Sequence, residues 1–310
     1  MFSSPYYRYI ALSLIIVSMF APIASDSLWL REAVNTAHSI LFIFIACFLY
    51  LLLKDRLPDL YDYRLYLLTI VTAMLLGVLI EAAQFYTGRE MSGQDLYRDF
   101  FGVMAGLGLV AFVAQDRIQV FSKASMIPVL VFVCFLFMGV GSLLQLSWSY
   151  CQRSMAFPVL VDFDKSWSQR FVRFNRAEII SVDSDELSES GKLYRMVFKP
   201  AQYPGFSVIE TEADWSEYQY LSFYVISQYS KEVQIMFRVH DSEHNQEYSD
   251  RFNKRINIVP GINEIIVALS DVKNAPDDRA LDLSAVAGMK LFAVNLENEM
   301  ELEISNIKLY

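Results

Sequence analysis

Long apolar runs fill the first half of the chain, and short alternating segments fill the second half. Runs rich in Leu, Ile, Val, Phe and Ala with almost no charge cover residues 9–25, 38–53, 65–86, 97–115 and 126–147. Several approach the roughly 20 residues that a helix needs to cross the hydrocarbon core of a bilayer. The pattern therefore predicts about five transmembrane helices, with a helical membrane domain over residues 1–125 and an additional transmembrane helix over residues 126–150.

The pattern changes from about residue 156 onward. Segments such as "KLYRMVFK", "VQIMFRVH" and "ELEISNIKLY" alternate apolar and polar residues and are separated by clusters of Gly, Pro, Asn and Asp. This alternation is typical of strands that bury one face. About eight to ten such strands within residues 156–310 predict an all-β, two-sheet sandwich. The predicted fold class is thus multi-domain, with an α-helical transmembrane bundle followed by a β-sandwich.

Charge divides at the same place and limits the kinds of partner. The chain has 310 residues and a formal net charge of −9. Residues 151–310 hold 17 Lys and Arg against 25 Asp and Glu, a net charge of −8. A nucleic-acid-binding domain needs a basic stripe for phosphates, which an acidic composition does not indicate. We therefore expect a membrane as one partner and no nucleic acid.

Positive residues near the span ends predict the orientation. If the amino terminus is cytoplasmic, the cytoplasmic segments hold six Lys and Arg and the opposite segments hold four. Lys and Arg favour the cytoplasmic side of a membrane. If the first run were instead a cleaved signal peptide ending near "APIAS", the second span would still begin outside. Both alternatives place residues 156–310 outside the cytoplasm, and we expect the first span to be retained.

Polar residues interrupt the apolar pattern where the third predicted span ends and the fourth begins. Residues three and four apart share one face of a helix. The two resulting stripes are Met74, Gly77, Glu81 and Gln84 on the third span, and Asp95, Asp99, Gly102 and Gly106 on the fourth. Small residues let helices approach closely in lipid, and carboxylates avoid the hydrocarbon. We therefore expect the two stripes to face each other.

The spacing of these residues resembles the signature of the VanZ-like family of small bacterial membrane proteins. The pattern E-x-x-Q-x-x-x-x-R-x-x-x-x-x-D-x-x-x-N-x-x-G runs from residue 81 to residue 102, with Asp99 in place of the usual Asn. A histidine at the start of the second span, His38, also matches the family. The resemblance implies a multi-pass protein of the bacterial inner membrane that acts in the cell envelope. It implies a membrane-edge pocket formed by His38, Glu81, Gln84, Arg89, Asp95 and Asp99.

Three interpretations of this pocket remain open. Glu81, Arg89 and Asp95 can form an ion-pair network that fastens two helix ends together. They can also bind a polar head group, such as a lipid-linked phosphate or glycan, because a guanidinium offers a fork of donors to phosphate. Two carboxylates can carry out acid and base chemistry, but no recognisable nucleophile accompanies them in the sequence. The sequence therefore favours binding over catalysis without deciding whether the protein is an enzyme.

The second domain also shows a resemblance. The segments "VDFD", "DWSEYQYLSFYV", "PGINEIIVALSDV" and "ELEISNIKLY" resemble the strands of jelly-roll carbohydrate-binding and galactose-binding-like modules. The resemblance implies a glycan ligand and, in many such modules, a structural calcium held by an acidic residue of the closing strand. Ser305 stands where that acid is expected. We therefore predict no cofactor, with structural calcium as an open alternative.

The polar stretch "RVHDSEHNQEYSDRFN", residues 238–253, is the candidate glycan site of this domain. Planar and bidentate hydrogen-bonding groups read sugar hydroxyls, and aromatic rings supply stacking faces. The predicted glycan-binding residues are Trp215, Tyr218, Arg238, His240, Asp241, His244, Asn245, Tyr248 and Arg251, with Tyr203 as a further stacking face. The alternative is a solvated hairpin loop with an ion pair between Asp250 and Arg251. No metal site is predicted, because a strand leading into a loop does not reliably bring His240 and His244 together on zinc.

These observations predict a cell-envelope membrane protein that binds a glycan or lipid-linked glycan through its sandwich and its membrane-edge pocket. One alternative is a transferase or hydrolase that acts on a lipid-linked precursor with Glu81 and Asp95. Another is a membrane scaffold whose sandwich binds a protein partner.

Overall fold

The structure of the protein is a computed structural model that describes residues 27–86, 93–114, 126–181 and 192–310, together with Ser13. The first predicted span, apart from Ser13, and the predicted pocket residue Arg89 lie outside the described residues. The chain divides into two compact units, residues 1–145 and 146–310. Each unit is described by itself below.

The first unit consists of long apolar helices. Helix α1 spans Leu28–Arg56, α2 spans Asp62–Tyr86, α3 spans Gly93–Val113, and α4 begins at Met126 and ends at Ala156. Ser27 caps α1, since its side chain accepts a hydrogen bond from the backbone N–H of Leu30. All four helices are long and apolar enough to cross a membrane. The four predicted spans that lie within the described residues are therefore confirmed as helices of spanning length.

Small residues on α3 set how closely the helices pack. A Cβ atom on Gly102 would lie 2.2 Å from the backbone oxygen of Ser39, and one on Gly106 would lie 2.6 Å from that of Ile43. Both contacts are with α1. The prediction that the whole stripe of α3 faces α2 is therefore wrong for these glycines, because α3 uses them to approach α1. The polar part of the stripe does meet α2, where a Cβ on Gly77 would lie 2.8 Å from Asp99 Oδ2.

The second unit is a β-sandwich with antiparallel pairing throughout. A seven-stranded sheet has the order β1-β12-β6-β11-β4-β3, with β9 also paired to β6. Its strands are Val159–Val161 (β1), Ala177–Ser181 (β3), Leu193–Phe198 (β4), Tyr220–Ser227 (β6), Gly261–Ala268 (β9), Met300–Ser305 (β11) and Ile307–Leu309 (β12). A five-stranded sheet has the order β2-β5-β10-β7-β8. Its strands are Val172–Asn175 (β2), Gly205–Ile209 (β5), Val233–Asp241 (β7), Phe252–Ile258 (β8) and Val286–Phe292 (β10).

The predicted two-sheet sandwich is thus confirmed, with twelve strands among the described residues in place of the predicted eight to ten. The extra strands include β1 and β12, which have three residues each and are too short to show an alternating pattern. Two short helices, Ser166–Phe171 (α5) and Leu269–Lys273 (α6), complete the domain.

The core of the sandwich lies between the sheets and fixes which side chains point out. On β7, Ile235, Phe237 and Val239 are at most 1% exposed and alternate with partly exposed residues. Because side chains alternate across a strand, the residues between them lie on the outward face of the five-stranded sheet. The last turns of α4 belong to this unit, where Tyr150 packs edge-on against Phe171 with ring centroids 5.0 Å apart.

Candidate functional site

The helical unit brings the described members of the predicted pocket together in its interior. His38, Glu81, Gln84, Asp95 and Asp99 are all 5% exposed or less. Nδ1 of His38 lies 3.3 Å from Oδ1 of Asp99, which links α1 to α3. Ligand atoms of His38, Glu81 and Asp95 lie within 4.8 Å of one another. His38, Glu81, Asp95 and Asp99 form one buried polar cluster that joins three helices, and Gln84 is buried one turn after Glu81 on α2.

Arg98 is an additional member of the cluster that the sequence analysis did not identify. Its guanidinium is 2.9 Å from Oδ1 of Asp95 and 3.0 Å from Oε1 of Glu32. The backbone oxygen of Arg98 also accepts a hydrogen bond from the hydroxyl of Ser39 at 2.9 Å. The three-residue spacing of Asp95 and Arg98 on a helix was the sequence signal for this ion pair.

The buried cluster has the donor set of a metal site, although none was predicted. Within the part of the chain that the structure describes, His38, Glu81 and Asp95 are the one such group of three. One histidine and two carboxylates can bind zinc, and a carboxylate such as Asp99 often orients a ligating histidine. The guanidinium of Arg98, however, is bound to Asp95 and places a positive charge where a cation would lie. The geometry equally supports a clasp between helices.

In the sandwich, one row of polar side chains crosses all five strands of the smaller sheet. Strand pairing aligns Arg173 with Ser207, Ser207 with Lys290, Lys290 with Arg238, and Arg238 with Asn253. We call these five residues the central row. Their neighbours along the strands, such as Phe206, Met289 and Phe237, are buried in the core. The central row therefore lies on the outward face of the sheet.

Aromatic rings support and flank the central row. The ring of Phe292 is buried and lies 5.2 Å from the guanidinium carbon of Arg238 and 4.9 Å from Nζ of Lys290. Tyr203 packs edge-on against Phe292 and is 44% exposed. Tyr248 is 64% exposed, and Arg251 lies over its ring at 5.6 Å. The outward face thus combines cations, neutral hydrogen-bonding groups and two accessible tyrosine rings.

The loop that follows β7 is held by ion pairs and is not freely solvated. Arg279 donates to both carboxylate oxygens of Asp241, at 2.5 and 2.7 Å, and also binds Asp250. Asp250 in turn accepts a hydrogen bond from the backbone N–H of Asn245 at 2.8 Å. The hydrogen bonds from Arg279 hold the pKa of Asp250 near 2. The predicted ion pair of Asp250 with Arg251 is therefore replaced by one with Arg279.

His240 lies on the outward face beside this loop and is uncharged at neutral pH. Its ring occupies space above Gly288, where a Cβ atom would lie 3.0 Å from Cε1 of the imidazole. Burial lowers the pKa of His240 to about 4, and the positive charges of neighbouring groups add to the effect. The ring of His244 is 5.3 Å from that of His240. His244 is held by Asp250, with Nδ1 2.9 Å from its backbone oxygen.

Three predicted glycan-binding residues lie away from the outward face or are already bound, and these assignments are corrected. Trp215 is 0% exposed, and its indole N–H donates to the backbone oxygen of Glu212, so its ring has no face open to a sugar. Asp241 is 1% exposed and is occupied by Arg279. Tyr218 packs against Phe157 at the start of the domain. Arg238, His240, Tyr248 and Arg251 do come together, whereas Asn245 is an exposed residue of the supporting loop.

The residues missed on this face are Lys290, Phe292, Arg173, Ser207 and Asn253. They come from four different strands, and only the register of the sheet shows that they are neighbours. Ser305, the position discussed for calcium, is buried and accepts a hydrogen bond from the backbone N–H of Tyr224 at 2.8 Å. That hydrogen bond links the end of β11 to β6 within the larger sheet.

The two sheets differ in the charge of their outward residues. On the seven-stranded sheet, a cavity of about 360 Å³ is lined by Glu299, Glu301, Glu303 and a single cation, Arg195. On the five-stranded sheet, burial first and the charge of Arg251 next lower the pKa of Arg238. The same causes, with Arg238 included, lower the pKa of Lys290. Three cations of the five-stranded sheet and its edge, Arg238, Lys290 and Arg251, thus lie close enough together for the charge of one to lower the pKa of another.

Comparisons with known proteins concern the fold of one half of the chain. No family model and no curated protein match the chain, so the VanZ-like resemblance stays a prediction. An exo-β-agarase structure is similar with 21% identity and a TM-score of 0.39, covering 49% of this chain and 24% of that chain. A family 11 carbohydrate-binding module from Clostridium thermocellum, in complex with a β-1,3-1,4-mixed-linked tetrasaccharide, has 18% identity and a TM-score of 0.36, covering 49% and 93%. A cellulose-specific family 28 module has 14% identity and a TM-score of 0.32, covering 50% and 93%.

Proposed function

We propose that this protein is a membrane protein of the bacterial cell envelope whose sandwich binds a glycan on the outward face of the five-stranded sheet. The carrying observation is that two exposed rings, Tyr203 and Tyr248, flank a row of bidentate and amide hydrogen-bonding groups. Sugars present apolar ring faces together with hydroxyl edges, and this combination of groups matches both. The proposal rests on the residues of this sheet face and not on the similarity to known modules.

A binding measurement on the full-length protein tests it. The protein in lipid nanodiscs is exposed to an array of envelope and cell-wall oligosaccharides, and the amount bound is measured. Tyr203→Ala and Tyr248→Ala should each weaken binding by roughly tenfold, since stacking contacts of this kind are worth about 1 kcal/mol or slightly more. Tyr220→Ala is the matched control, because Tyr220 is an exposed tyrosine on the other sheet. Failure of every glycan to bind would refute the proposal.

The orientation is a part of the proposal that needs its own test. Lys and Arg favour the cytoplasmic ends of spans, which puts the sandwich on the outside of the inner membrane. Protease added to spheroplasts should then remove the sandwich and leave the helical unit intact. A sandwich that survives until the cells are lysed would exclude an envelope glycan as its ligand. The remaining alternative is that the sandwich binds a protein. In that case an added glycan would not displace the bound protein from the sandwich.

The helical unit contributes a second candidate function, acid and base chemistry on a lipid-linked glycan. The observation that favours it is the contact of His38 with Asp99 in a buried site that also holds Glu81 and Asp95. A histidine held by a carboxylate beside further carboxylates can transfer protons to a bound substrate. Turnover of a lipid-linked precursor by the purified protein, abolished in His38→Gln, would support catalysis. Absence of turnover with normal glycan binding would leave the cluster as a clasp between helices or a head-group pocket.

A further inference from the structure

In the central row two cations face each other, and no carboxylate of the described residues forms an ion pair with either of them. Lys290 lies directly opposite Arg238 on the neighbouring strand. Within the described ranges, the ion pairs of the sandwich involve other cations: Arg153, Lys192, Arg195, Lys199, His244 and Arg279. Arg238 instead uses Nε to bind the side-chain oxygen of Asn253 at 3.2 Å. An excess of positive charge is therefore fixed at the centre of the face.

This arrangement costs stability in the free protein. Like charges placed directly opposite on paired strands destabilise a sheet. Arg251 adds to the excess, because its charge lowers the pKa of both Arg238 and Lys290. The Nε atom of Arg251 is buried, and among the described residues it has no hydrogen-bond partner. A bound anion would neutralise the repulsion and satisfy the available donors at the same time.

We propose that the glycan bound on this face is anionic and carries carboxylate or sulfate groups that Arg238, Lys290 and Arg251 recognise. This inference rests on the proposed function and names the substrate class of the same site. The charged groups of Arg238 and Lys290 both lie over the ring of Phe292, which fixes their positions on the face. The tyrosines at positions 203 and 248 stack on sugar rings beside the anionic groups. Ser207, which lies between Arg173 and Lys290 in the row, binds a sugar hydroxyl between the charges, while Asn253 positions Arg238.

Charge distribution favours an anionic glycan over other polyanions. The central row spans roughly 19 Å, which is four strand spacings. A nucleic acid has a phosphate at every nucleotide and needs an extended basic track, whereas the rest of this domain is acidic. Its net charge of −8 over residues 151–310 also repels a surface of anionic lipids. A glycan with anionic groups separated by neutral sugars fits a short cationic row between neutral donors.

The test compares chemically matched ligands on the full-length protein in nanodiscs of zwitterionic phosphatidylcholine. A sulfated galactan oligosaccharide is measured beside its desulfated form, and an oligogalacturonate beside its methyl ester. We expect at least one charged member to bind roughly tenfold or more tightly than its neutral counterpart, which corresponds to a single good charge contact. The stronger of the two charged ligands distinguishes sulfate from carboxylate. Raising the salt from about 50 mM to about 200 mM should weaken this binding markedly.

Matched variants assign the preference to the central row. Lys290→Gln and Arg238→Gln should each reduce the charged-to-neutral preference severalfold, while Lys308→Gln on the exposed part of the other sheet should not. Equal affinity for charged and neutral members would overturn the inference and leave glycan binding intact. Binding of neither member would overturn the proposed function as well. Stronger binding to phosphatidylglycerol vesicles or to a single-stranded oligonucleotide than to every glycan would also overturn it.

Discussion

Lys290 and Arg238 lie opposite each other on paired strands, and their charged groups contact the same ring, that of Phe292. The sheet thus holds two positive charges close together over one aromatic ring. The repulsion between them predicts a conflict between stability and binding. Removing one charge should stabilise the free domain and weaken its interaction with an anion.

We expect Lys290→Gln to increase the free energy of unfolding of the sandwich by about 0.5 kcal/mol, the size of a cross-strand charge pair. Hydrogen exchange of β7 and β10 in the full-length protein measures the change locally. Lys308→Gln is the control, since Lys308 is exposed and pairs with Ser222 on the larger sheet. A Lys290→Gln variant less stable than the wild type would show that contact with Phe292 outweighs the repulsion.

Arg279 is expected to be the main electrostatic support of the loop after β7. Replacing it in Arg279→Gln leaves the fully buried carboxylate of Asp241 without its cation, which should cost about 3 kcal/mol. The matched control is Arg255→Gln, because Arg255 is exposed. Hydrogen exchange of residues 241–250 and of β8 should increase in the first variant and not in the second. Unchanged exchange in Arg279→Gln would show that the loop is held by its backbone hydrogen bonds.

The low pKa of His240 predicts a loss of stability in mild acid. The pKa is about 4 in the folded domain against 6.5 for an ordinary histidine. The unfolded chain therefore takes up a proton as the pH falls through 6.5, while the folded domain does not until about pH 4. Above pH 6.5 this titration does not change the free energy of unfolding. As the pH falls from 6.5 toward 4, the free energy of unfolding decreases by up to roughly 3 kcal/mol.

His240→Gln provides the comparison, because glutamine has no titration in this range. The difference in unfolding free energy between wild type and variant should change between pH 7 and pH 4.5, with the wild type losing more. The charged groups around His240 are Arg238, Arg251 and Asp241, and His244 is the neighbouring titratable group. Since these remain in the variant, a constant difference across this pH range would contradict the depressed pKa.

Sequence and structure agree where a local pattern determines the outcome. The apolar runs predicted the helices because a span needs only length and hydrophobicity, and alternation predicted the two-sheet sandwich. His38, Glu81, Asp95 and Asp99 lie together, because helical spacing puts Asp95 and Asp99 on one face of α3, while the pocket itself stays a prediction. Arg238 was identified because it lies in a conspicuous polar stretch.

What the sequence did not reveal depends on register and burial. Lys290 is 52 residues from Arg238 along the chain, and only the pairing of β7 with β10 makes them neighbours. Trp215 looked like a stacking platform because tryptophans often bind sugars, but the core of the sandwich encloses it. The glycines of α3 were assigned to the wrong helix, since a small residue predicts close approach without naming the partner.

The last prediction concerns those glycines. A Cβ atom on Gly102 would lie 2.2 Å from the backbone oxygen of Ser39, which cannot move without displacing α1. Gly102→Ala should therefore separate α1 from α3, weaken the contact of His38 with Asp99 and destabilise the helical unit by about 2 kcal/mol. Gly141→Ala is the matched control in α4, where an added Cβ meets no described atom within 4 Å. The midpoint temperature of thermal unfolding, measured in detergent micelles, should drop by several degrees for Gly102→Ala and stay unchanged for Gly141→Ala. Equal stability of the two variants would mean that the close approach of α3 to α1 does not hold the bundle together.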